Sequence, residues 1–147
     1  MLTIRKRSHP LQPGNQAAMN SNFGSLLWPP SVRMLPMILV MGTIFFLSQQ
    51  PGDTLDLPDV PDLDKFLHAL AYGVLAATTL FAIRPDRRRA NPVRVGLFVI
   101  LFCILYGISD ELHQAFVPSR MPDILDLLAD TIGAVLVVCI WRLIRAK

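Results

Sequence analysis

Apolar residues dominate four stretches of this chain, residues 34–48, 65–83, 93–112 and about 123–144. The first stops at Gln49-Gln50-Pro51-Gly52 and the second at Arg84-Pro85-Asp86. The third gives way to two proline breaks, Val117-Pro118 and Met121-Pro122. An amphipathic soluble helix keeps a polar face along its whole course. Residues 97–105 and 132–140 show none. At about 1.5 Å rise per residue, spans of this size cross or nearly cross a hydrocarbon core of about 30 Å. The backbone must be helical there, because lipid cannot satisfy its polar groups. The pattern predicts an all-α integral membrane four-helix bundle. The first span is the shortest and has Pro36 near its start, where proline is best tolerated. Asp62 or Asp64 can cap the second helix and Asp123 the fourth.

Charge gives the bundle a direction. Twelve of the 14 basic residues lie before the first stretch, between the second and third, or after the fourth. Only one of the 11 acids, Asp86, accompanies them. The other acids gather in or beside the remaining two gaps, with Lys65 and Arg120. A positive-inside bias produces this alternation when both termini are cytoplasmic. The expected location is the bacterial cytoplasmic (inner) membrane, crossed several times. Membrane lipid is the first expected partner, since basic flanks favour anionic headgroups. Arg87-Arg88-Arg89 lacks the readout residues that nucleic-acid binding needs, so no nucleic acid is expected. Residues 1–30, rich in Pro, Gly, Asn, Gln and Ser, are expected to form a mobile cytoplasmic tail ahead of a membrane domain at 31–147.

Composition adds little beyond this. The chain of 147 residues is 52% hydrophobic and 17% charged. Its mean hydropathy is +0.45. Cys103 and Cys139 both fall inside apolar stretches and are expected as small core residues. No short metal motif occurs. Asp53, Asp56, Asp59 and Asp62 recur in the first acidic gap, but without the glycine turn and final Glu of a calcium loop. They are expected as a solvated acidic loop, and no metal site is assigned.

Candidate chemistry collects at the acidic end. Lys65, His68 and Tyr72 stand at i, i+3 and i+7 on the second helix, on one face. Asp110 and Glu111 are each within one helical turn of Gln114 on the third. Asp123, Asp126 and Asp130 repeat the i, i+3, i+7 spacing on the fourth, and Gly133 continues that face. An ionisable residue as deep as Asp130 costs several kcal/mol unless it faces protein or water. Gly133 and Ala134 would let a neighbouring helix approach closely. Taken singly, most of these residues have plain structural roles: Asp123 a cap, Lys65 snorkelling, Arg120 an ion pair with Glu111 or Asp126. Taken together they predict a polar pocket at the outer face. It would be built from Asp64, Lys65, His68, Tyr72, Asp110, Glu111, Gln114, Arg120, Asp126 and Asp130, with His68, Glu111, Arg120 and Asp126 converging in one chamber.

At these residues the chain resembles the VanZ-like family of bacterial membrane proteins. The matching patterns are D-K-x-x-H-x-x-x-Y at residues 64–72, E-x-x-Q-x-F-x-P-x-R at 111–120 and D-x-x-x-N/D-x-x-G at 126–133. Many relatives have Gly where Ser119 stands and Asn where Asp130 stands. The resemblance implies a link to resistance to teicoplanin, a glycopeptide that binds wall precursors outside the membrane. No catalytic residue is carried over from it, and cofactors are left unassigned. Three functions follow as alternatives: binding of a lipid-linked cell-wall component, an enzyme acting on such a lipid, or transport. Transport ranks last, because the inner half of each span lacks ionisable residues and no inverted repeat is visible.

Overall fold

The computed structural model describes residues 28–51 and 61–146. The expected tail lies outside the described residues up to residue 27, as do Asp53, Asp56, Asp59 and Pro58 of the first acidic gap. Five helices make up the described chain: α1 Pro30–Ser48, α2 Leu63–Ala82, α3 Pro85–Ala90, α4 Pro92–Gln114 and α5 Ile124–Ala146. All but α3 are long and apolar enough to cross a membrane.

Proline starts three of these helices. Pro30, Pro85 and Pro92 each occupy the first turn, where a missing N–H leaves nothing unpaired and the fixed φ suits the helix. Thus α1 begins four residues before the apolar run does. Pro36 then lies inside α1 rather than near its start. The basic gap, expected as a loop, contains α3. Asp86 in its first turn and Arg87, Arg88 and Arg89 in its last oppose the helix dipole at both ends. Asp62 sits at the N-cap of α2 but makes no side-chain cap; its backbone is left-handed, φ 59°. Asp123 does cap α5, accepting the Leu125 N–H at 2.9 Å.

Successive long helices run in opposite directions, so the basic gap and the start of α1 share one end. Arg33 shows this directly. It donates from Nε and Nη2 to the Phe81 carbonyl (3.2 and 2.9 Å) and from Nη2 to that of Ile83 (3.3 Å). A residue that the sequence offers as a plain flanking charge therefore closes the C-terminal end of α2, where carbonyls lack helical partners.

The central pair is α2 and α5, with α1 laid on α2 and α4 on α5. Gly133 permits the closest approach. A Cβ there would collide with the carbonyl group of Ala69. The core is a narrow seam including Leu75, Ala76, Val99, Cys103, Ala134 and Val138. Outward residues such as Leu39, Phe46, Leu97, Leu105 and Leu136 are more than half exposed, as a lipid-facing surface requires. Cys139 belongs to that outer surface and not to the core; only Cys103 is buried. One helical step separates Cys139 from buried Val138, which turns its side chain outward.

Candidate functional site

The i, i+3, i+7 face of α2 meets its counterpart on α5 residue by residue. Lys65 Nζ lies 3.4 Å from Asp123 Oδ2, 3.4 Å from Asp126 Oδ1 and 3.0 Å from Asp64 Oδ2. One turn deeper, His68 Nδ1 is 3.0 Å from Asp130 Oδ1, while its Nε2 stands 3.8 Å from Asp126 Oδ2. Tyr72 is deeper again, 1% exposed, with no partner for its hydroxyl among the described residues. The same helix spacing on both elements makes the two polar ladders coincide. The Gly133–Ala69 approach holds them in register.

The two adjacent carboxylates of α4 diverge. Asp110 accepts from Ser48 Oγ at 2.8 Å and from Gln114 Nε2 at 3.2 Å, joining α4 to the end of α1. Glu111 turns to α5, where Oε2 accepts the Asp123 N–H at 2.9 Å. Its Oε1 is buried without a partner among the described residues. The Leu125 N–H, aided by Lys65, holds the Asp123 carboxyl below the usual carboxylate range.

Arg120 pairs with neither expected carboxylate. It donates from Nε to the Gln50 carbonyl (3.2 Å) and from Nη2 to that of Leu47 (3.4 Å). The loop is tied to the end of α1, where the last carbonyls lack the regular helical N–H partner. Ser119 next to it adopts φ 59°, a region glycine enters at no steric cost. Arg120→Ala should leave the bundle folded but loosen residues 47–50 and 116–122 by about 1 kcal/mol, the net worth of such partly exposed bonds. Hydrogen exchange confined to those segments is the readout; exchange spreading along α2 and α5 would contradict this assignment.

A cavity of about 320 Å³ opens among α1, α2, α4 and the Arg120 loop. Ile44, Leu47, Leu67 and Ala71 form its apolar side. Ser48, Asp64, His68, Tyr72, Asp110, Gln114 and Arg120 supply polar groups. Six of the ten residues expected at the site therefore line it. Lys65, Glu111, Asp126 and Asp130 stand outside the lining, so the expected chamber of His68, Glu111, Arg120 and Asp126 divides in two. Its cavity half carries His68 and Arg120. The other half is a carboxylate layer between α4 and α5, with Glu111 and Asp130 buried and Asp126 half-buried, which meets His68 from behind. Ser48 was not legible as a site residue, being the last polar residue of an apolar run. Among the described residues no three His, Cys, Asp or Glu side chains are placed to hold a metal ion together.

A helical membrane bundle with a polar, partly ionic site at one end is the class that this fold and site define. The VanZ/LLP1 family model matches residues 33–145, and the chain belongs to that family. No curated protein and no solved structure matches significantly.

Proposed function

We propose that the chain binds a lipid-linked cell-wall component at the outer face of the bacterial cytoplasmic membrane, with both termini in the cytoplasm. The single observation that carries this reading is the two-sided cavity, apolar toward Leu47 and Leu67 and polar toward Asp110, His68 and Arg120. An amphipathic head joined to a hydrocarbon tail matches such a lining. The concentration of basic residues at the opposite end supports the orientation.

Charge narrows the part of the ligand that enters. Lys65 is already engaged by three carboxylates, and Arg120 by two carbonyls. The acids at this end outnumber the cations. Sugar hydroxyls or an ammonium group fit beside Asp64 and Asp110, whereas a diphosphate fits only at the Arg120 rim. Occupancy of wall precursors in this way would connect the site with the family's teicoplanin link.

Native mass spectrometry with a polyprenyl-diphosphate disaccharide-pentapeptide tests the reading. Ala71→Phe places a ring on the apolar side of the cavity and removes no polar group. It should lower retention of that lipid about tenfold, equivalent to about 1.4 kcal/mol, with thermal melting unchanged. Equal retention by both forms would remove the cavity from the function.

A second reading, an enzyme acting on the same lipid, draws on His68 and Asp130. A carboxylate on Nδ1 orients an imidazole whose Nε2 can exchange a proton. Turnover of the bound lipid, lost in His68→Gln, would favour it; retention without product favours binding alone.

A further inference from the structure

At the opposite, basic end, α2 and α5 enclose a second groove beneath α3, of about 280 Å³. Its walls include Ala77, Leu80, Val137 and Ile144, and Arg88 and Trp141 also line it. Both of these carry a buried N–H donor, Arg88 Nε and Trp141 Nε1, with no acceptor among the described residues. Buried donors left unpaired are unfavourable, and here two belong to one groove. Among the described residues no carboxylate pairs with Arg88, and the one ion pair at this end is Arg84 Nε to Asp86 Oδ1, 3.2 Å. Burial, and after it the cationic neighbours Arg145, Arg33 and Arg89, holds the Arg88 guanidinium below the ordinary arginine range. The Arg145 guanidinium also stands over the Trp141 ring, 5.1 Å from its centroid.

We propose that this groove seats one anionic phospholipid from the leaflet at the basic end, its phosphate taken by Arg88 and the Trp141 indole N–H and its acyl chain lying along the apolar walls. The argument is complementarity of charge and donors. An anion supplies the acceptor that both N–H groups lack and relieves the repulsion among the guanidiniums. The walls exclude a purely hydrophilic anion, because Leu80, Val137 and Ile144 have no polar atoms to offer it. A zwitterionic lipid brings its own ammonium into an already cationic region. Basic pockets between membrane helices bind phospholipid headgroups by this logic. The site is independent of the cavity at the other end.

Native mass spectrometry of the full chain, delipidated stepwise and re-supplied with phosphatidylglycerol or phosphatidylcholine, tests the proposal. One phosphatidylglycerol should remain bound where phosphatidylcholine does not. Arg88→Gln should lower its retention about tenfold, the loss expected for a charge-assisted bond. Trp141→Phe, which keeps the ring packing and removes the N–H, should lower it several-fold. Exposed Arg89→Gln should stay within about twofold of the parent. Melting curves for each variant separate lost binding from lost fold. Equal retention of the two lipids, equal loss in Arg88→Gln and Arg89→Gln, or release of the lipid by inorganic phosphate alone would each overturn the proposal.

Discussion

Gly133→Ala should prevent α2 and α5 from closing, and is expected to be the most damaging single-methyl substitution in the bundle. The added Cβ would meet backbone, the Ala69 carbonyl oxygen and carbon, rather than the end of a side chain. Overpacking against side chains costs about 1–3 kcal/mol because rotamers can move aside. A carbonyl within a helix cannot move without moving the helix, so the loss here should reach about 3 kcal/mol or more. Trimming the neighbour, Ala69→Gly, should give no rescue, since the obstructing atoms are main chain. Gly42→Ala is the matched control. Nothing lies within 4 Å of a Cβ there, and a helical Gly→Ala change stabilises by about 0.5–1 kcal/mol. Thermal melting and size-exclusion profiles in one detergent would compare the three. A Gly133→Ala protein that accumulates and melts like the parent would mean that the two helices do not approach as described.

The same contact explains why part of the site could be seen in the sequence. Lys65, His68 and Tyr72 repeat at helical spacing, as do Asp126, Asp130 and Gly133, and a small residue on the second face marks where the helices touch. Two matching ladders and one small residue suffice to predict that the ladders meet. Partners that are backbone leave no such mark. Arg120 reaches the Leu47 and Gln50 carbonyls, Arg33 those of Phe81 and Ile83, and Glu111 the Asp123 N–H. Every residue has these groups, so nothing in the residue types points to them, and charge pairing suggested the wrong partners for Arg120. The start of α1 was obscured for a related reason. Proline reads as a break, yet at the first helical position it is a start, and only the geometry of residues 29–33 separates the two. Asp110 and Glu111 differ by one position, or about 100° around α4, which is enough to send one to α1 and the other to α5.

His68 and Asp130 should prove energetically coupled. Asp130 is 1% exposed, and His68 is its one hydrogen-bonding side chain among the described residues. Removing His68 strands a carboxylate about two turns inside α5; His68→Ala should therefore cost about 3 kcal/mol, the range for breaking a buried pair from one side. Asp130→Ala strands only a ring nitrogen and should cost less, about 1–2 kcal/mol. The double variant strands neither, so the cycle should close with a coupling of about 2 kcal/mol. Asp130→Asn separates charge from hydrogen bonding. Its amide oxygen still accepts from the Nδ1–H of a neutral imidazole, and no ion has to be buried, so stability should match or exceed the parent. Asp126 limits the effect, since its Oδ2 stands 3.8 Å from Nε2 and Lys65 shares it. Thermal melts of the four cycle members and of Asp130→Asn would measure these terms. Additive losses would show that the 3.0 Å contact is only proximity. A stable Asp130→Asn that still retains the wall lipid would assign Asp130 to holding the ring in place rather than to supplying charge.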